Sequence, residues 1–143
     1  MHAEDVNYWK TSRTAPDVWL AKAKREVIRA GGEVVAEGFG SDNAGRAAYM
    51  LAFTFGLERF KAVWPVLPSK SGDERAARIQ AATMLYRDVK SRCVAAKVLG
   101  LRSAFFSYLL LPDGRVAAEL ATPELTQAFP KFLTGGVVGE RDA

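Results

Sequence analysis

The stretch from Asp73 to Gly100 constrains the fold most, because it is the one run long enough, and free enough of Gly and Pro, to be a helix of several turns. Asp73 and Glu74 open it where a helix dipole favours negative charge, and Gly100 closes it where a C-cap tolerates a left-handed backbone. On a helical wheel Ala81, Ala82, Leu85, Val89, Ala96 and Leu99 share one side, and Arg87, Lys90 and Lys97 share the other. One side is expected to pack and the other to stay wet and basic.

At 143 residues, with 49% hydrophobic and 25% charged positions, the chain suits one soluble domain with its own core. No apolar run reaches the roughly 18 residues of a membrane span, and MHAEDVNYWK lacks the apolar region of a signal peptide, so a cytoplasmic protein without a membrane role is expected. His2 and Cys93 are the only residues of their types, which leaves no Cys/His set with metal-ligand spacing and no pair for an internal disulfide. No metal and no cofactor are expected. The net charge of +4 permits a polyanionic partner without demanding one, so the distribution of charge carries the argument.

Residues 1–14 show no clear period and read as a flexible arm, with Trp9 available to dock on the body. Ala15-Pro16-Asp17 opens a helix to Arg29, with Pro16 at an early position and Val18, Leu20, Ala21, Ala23, Val27 and Ile28 available for its apolar side. From Glu33 the period becomes alternating. Glu33 to Phe39 reads as a first strand, Gly40 to Gly45 as a turn, and Arg46 to Phe55 as a strand apolar on both faces, hence central. Arg59 to Val66 forms the third strand, and Pro68 to Gly72 the loop into the long helix. Beyond Gly100, Ser103 is placed to cap a short helix through Phe105, Phe106 and Tyr108, although residues 103–111 also fit a buried strand. Leu111-Pro112-Asp113-Gly114-Arg115 is a turn that would pair Leu109 to Leu111 with Val116 to Ala118. Thr122-Pro123-Glu124 predicts a last helix ended by Pro130.

The expected architecture is therefore α+β: an α-β-β-β-α core, in which a three-stranded antiparallel sheet packs on a long helix, with a small helical C-terminal subdomain. It would occupy residues 15–134 as a single domain, with residues 135–143 as a mobile tail.

Little in the sequence supports catalysis. One histidine and no G-x-S-x-G leave the usual nucleophilic triads without material. Glu33, Glu37 and Glu58 lie near strand ends, where surface solvation is the default reading. Gly38-Phe39-Gly40 with Asn43-Ala44-Gly45 resembles a phosphate loop in composition only, lacking both the Lys and the following helix. A non-enzymatic protein is expected. The basic residues say more: between Asp73 and Arg102 lie Arg75, Arg78, Arg87, Lys90, Arg92, Lys97 and Arg102, against Asp73, Glu74 and Asp88. Arg59 and Lys61 add to the same patch if they face solvent, and such a field suits a phosphate backbone. Arg92 falls within the apolar stripe, four residues after Asp88, which predicts an interface or structural ion pair. Tyr49, Phe53, Phe60, Trp64 and Tyr86 could stack on bases, with the core as the default place for each.

Two resemblances accompany this reading. Lys90-Ser91-Arg92, Leu111-Pro112-Asp113-Gly114-Arg115, Glu119-Leu120, Pro123-Glu124-Leu125 and Phe129-Pro130 make the C-terminal third similar to a family of small phage and actinobacterial proteins, which brings no activity with it. That family has a Trp flanked by Arg where this chain has Ala81-Ala82-Thr83. The order helix, three strands, long basic helix is similar to the core of Rad52-type and phage single-strand annealing proteins, which work as rings or filaments. Double-stranded-RNA-binding domains share the order but place lysines where this chain has Asp73-Glu74. The annealing resemblance implies a homo-oligomer that binds nucleic acid, single-stranded DNA above all, and the basic residues expected to meet its phosphates are Arg87, Lys90 and Lys97 with Arg59 and Lys61. The alternative is a protein-interaction or assembly module whose basic face is incidental.

Overall fold

The computed structural model describes residues 1–120 of the chain. The expected helix from Thr122 to Pro130 and the tail at 135–143 lie outside the described residues. In chain order come α1 (Pro16–Arg29), β1 (Glu33–Ser41), β2 (Ala47–Phe55), β3 (Glu58–Pro65), α2 (Glu74–Leu99) and α3 (Leu101–Ala104). The three strands form one antiparallel sheet in the order β1-β2-β3. This is the expected α+β arrangement, with α2 against the sheet and short helices after it.

Alternation along the strands decides what each sheet face carries. In β2, Tyr49, Leu51, Phe53 and Phe55 are buried on the helix side. Register places Trp64 opposite Tyr49, Ala62 opposite Leu51 and Phe60 opposite Phe53, so these share that side. The pairs Thr54–Arg59 and Ala52–Lys61 belong to the other side. A bulge between Val34 and Ala36 shifts the β1 register and leaves Val35 65% exposed.

From α2, Ala81, Ala82, Leu85 and Val89 are buried against this layer. Leu99 departs from its predicted place and is 61% exposed, while Ala96 is only partly buried. The reason is length. Twenty-six helical residues span about 39 Å, whereas a nine-residue strand spans about 30 Å, so the last turns of α2 overhang the sheet.

The buried stripe of α1 is Trp19, Leu20, Ala23 and Val27. Val18 and Ile28, which the sequence offers to the apolar side, are exposed, and Trp19 takes the inward position instead. The Trp19 and Tyr86 rings meet at 5.5 Å, tilted by 42°, and the Cys93 thiol donates to the Glu26 carbonyl at 3.6 Å, so α1 and α2 run in the same direction. Gly32 brings α1 down onto the sheet, since a Cβ there would sit 2.6 Å from the Phe55 ring and 2.8 Å from the Thr54 carbonyl oxygen.

The first residues correct the reading of 1–14 as a flexible arm. Gln80, 1% exposed on α2, donates its amide to the carbonyls of Ala3, Val6 and Asn7 at 2.8, 3.2 and 3.0 Å. The Glu4 carboxylate accepts from the Lys70 and Ser71 backbone N–H groups and from both Ser69 and Ser71 hydroxyls. Lys70 pairs with Asp5, and Lys10 with Asp73. The segment thus covers Gln80 and the loop that leads into α2. Polar residues that look solvated in sequence here satisfy one another.

After α2 the chain does not wait for Ser103: Gly100, at φ +87°, lets α3 start at Leu101. Residues 103–111 are helical first and extended afterwards. Phe105 is fully buried among Phe53, Phe55 and Phe60, at centroid distances of 5.5, 5.1 and 6.1 Å. Leu109 then bridges to Phe60, extending the β3 edge. The expected hairpin is reduced to one bridge, Leu110 to Val116, because residues Ala117–Leu120 turn into a 3-10 segment. Among the described residues no helix is long and apolar enough to cross a membrane.

Candidate nucleic-acid interface

α2 is anchored by its own ends, with the Asp73 carboxylate accepting from the Ala76 N–H at 3.0 Å and Lys97 in the last turn. Of the seven basic residues between Asp73 and Arg102, two are held by carboxylates. Arg92 meets Asp88 at 2.8 Å, and Arg102 meets Glu58 at 3.1 Å. Arg75, Arg78, Arg87, Lys90 and Lys97 are exposed and form no salt bridge among the described residues. Their charge is therefore not neutralised locally.

Two of the three ridge residues lie against aromatic rings. The Arg87 guanidinium is 4.8 Å from the Tyr8 ring centroid, and Lys90 Nζ is 5.8 Å from that of Tyr86. From α1, Lys22 Nζ reaches within 4.5 Å of the Trp19 ring and 6.0 Å of Tyr86. Lys22 and Lys90 thus share one tyrosine across the helix seam. Sequence reasoning missed Lys22. The signal available was its place three residues after Trp19 on a helix, one turn away on the same side. Arg87 to Lys97 spans ten residues, about 15 Å along α2, which is roughly four phosphate intervals of one stacked strand.

Arg59 and Lys61 do not join this patch. They alternate with Phe60 and Ala62, which are buried against the helices, so their side chains leave the sheet on its opposite side. One straight strand cannot touch both groups. The spacing in sequence could not show this, because it required knowing which strand face the helix covers. Arg78 instead lies over Phe39, 4.6 Å from its ring, toward the β1 edge.

The Asp88–Arg92 pair is structural. Besides Asp88, Arg92 donates to the Ala104 carbonyl at 3.0 Å, and its guanidinium lies 4.2 Å from the Tyr108 ring. The Tyr108 hydroxyl donates to the same Asp88 carboxylate oxygen. Burial first, and then the bond and charge of Asp88, push that phenol well above its ordinary range. This cluster clasps the chain after α3 to α2.

The three strand-end carboxylates are dispersed. Glu37 pairs with Lys24 at 2.7 Å, Glu58 pairs with Arg102, and Glu33 and Glu58 lie on opposite faces of the sheet by register. The Asn43-Ala44-Gly45 turn is organised by Asp42, whose carboxylate accepts from the Ala44 and Arg46 N–H groups, as in a plain hairpin turn. Burial, then the charge of Glu26, pushes the Cys93 thiol up to about 11, which keeps it protonated at neutral pH. Among the described residues no three His, Cys, Asp or Glu side chains cluster so as to hold a metal ion. Compared with protein-family models, with curated proteins and with solved structures, the chain matches none.

Proposed function

We propose that this chain is a non-enzymatic binder of single-stranded nucleic acid, acting in the cytoplasm, with Arg87, Lys90 and Lys97 of α2 on successive phosphates and Lys22 of α1 beside them. The observation that carries the reading is the row of exposed cations without carboxylate partners, bordered by aromatic rings along the α1–α2 seam. Contacts of this kind are to phosphate and carry no base code, so binding is largely sequence-independent. The element order, similar to that of single-strand annealing proteins, favours a role in annealing or as a recombination accessory.

The test is fluorescence anisotropy of a labelled single-stranded oligonucleotide at several salt concentrations. Affinity should fall with salt, and each replacement by Ala among Arg87, Lys90 and Lys97 should lower the slope of log K against log salt by about 0.7. The double replacement of Arg59 and Lys61, on the other face, should leave the slope unchanged. An effect from that pair alone would move the interface to the sheet, and no binding at low salt would sink the reading.

The assembly reading has its own observation. Ile28 on α1 and Val94, Val98 and Leu99 on the overhanging end of α2 are all more than half exposed. Light scattering that finds a mass above 15.6 kDa at high protein concentration without nucleic acid would favour it.

A further inference from the structure

The N-terminal turn carries a feature the core does not need. Tyr8 and Lys10 hold φ values of +70° and +53°, the left-handed region that side chains avoid because Cβ crowds the backbone. Such a geometry persists only where surrounding contacts over-determine it, and strain of this kind collects at binding sites. Here those contacts are the Gln80 bonds to Ala3, Val6 and Asn7 on one side and the Lys10–Asp73 pair on the other. Between the two strained residues sits Trp9, half-buried, its ring 5.6 Å from Lys10 Nζ. Trp9 makes no ring–ring pair among the described residues. Its neighbour Tyr8 lies over Arg87, the first cation of the ridge.

We infer that Trp9 is a base-stacking residue, presented by the strained Tyr8-Trp9-Lys10 turn to the bases of a single strand whose phosphates lie on Arg87; this rests on the function proposed above. An indole face offers a nucleobase a large π surface, and Arg87 beside Tyr8 keeps the sugar-phosphate chain close. Bases in a duplex are already stacked on their neighbours, so the same turn selects single strands.

The experiment compares oligo(dT) with an abasic strand of equal length, which has the phosphates but no bases, using the full chain. Trp9→Ala should weaken oligo(dT) binding by about 5- to 150-fold, the range that stacking on one aromatic supplies. It should leave abasic binding and the salt slope as in the parent, and Trp9→Phe should retain most of the affinity. Independently of any variant, oligo(dT) should quench the parent's tryptophan emission more than the abasic strand does. Equal losses on both strands, or no loss with a lowered melting temperature, would make the turn a strap that only covers α2 and overturn the inference. Failure of the function itself looks different, because the parent would then bind neither strand.

Discussion

Gln80 is the residue whose replacement most directly tests how the molecule is closed. Its amide carries two hydrogens and faces three carbonyls within 3.2 Å, so at most two full hydrogen bonds form at once. Gln80→Met keeps the volume and removes the donor. At roughly 1 kcal/mol per neutral bond, with an added penalty for any carbonyl left dry, the loss should be about 1–3 kcal/mol. The Ala3 carbonyl keeps the Val6 N–H at 3.1 Å, but the Val6 and Asn7 carbonyls lose their Gln80 donor and must either stay unsatisfied or lift into water with their segment. Lifting is the cheaper course, so the loss should appear as local opening. Hydrogen exchange at the amides of Ala3 and Val6, which donate to Pro68 and Ala3, should accelerate by about 5- to 150-fold. Exchange in the middle of α2 should change far less. Gln80→Glu should be worse, because an ionised carboxylate would face three carbonyl oxygens. Unchanged exchange in the Met variant, or a Glu variant as protected as the parent, would refute the view that Gln80 holds the N-terminal segment.

Two further outcomes follow from the core and from the clasp. Leu85→Ala, at a fully buried position on the sheet-facing side of α2, should cost about 2–5 kcal/mol, and a thermal melt that matches the parent would show the helix is turned otherwise. Tyr108→Phe should cost about 1.5–3 kcal/mol at neutral pH by removing a hydrogen bond to a carboxylate. Its pH dependence has a definite sign. The folded phenol resists ionisation while an unfolded one loses its proton near pH 10, so the parent should lose stability as pH rises above about 10, and the Phe variant should lose less. Denaturant melts at pH 8 and pH 11 read this directly, and identical pH slopes for the two proteins would count against the raised phenol.

The sequence alone determined the order and type of the main elements. Periodicity is a local property, and the change from helical spacing in α1 to alternation in β1, β2 and β3, then to the unbroken run of α2, is visible without knowing what packs on what. It also marked Leu85 and Val89 as core and paired Asp88 with Arg92, because both follow from helical spacing of three and four. Tertiary structure decided what depends on a second element. Leu99 is apolar and on the packing side, yet it is exposed because the sheet ends before the helix does. Gln80 and Thr83 are polar yet buried, since the N-terminal segment supplies acceptors for the one and the Ile79 carbonyl for the other. The candidate interface divides the same way. The exposure of Arg87, Lys90 and Lys97 was legible from the wheel, but whether Arg59 and Lys61 joined them turned on which face of β3 the helices cover. That is a choice between two sides of a sheet, and alternation by itself labels the sides without saying which one meets α2. The meeting of Lys22 with Tyr86, and of Arg87 with Tyr8, likewise needed the parallel packing of α1 on α2 and the return of the first residues across them, contacts made by residues more than sixty positions apart.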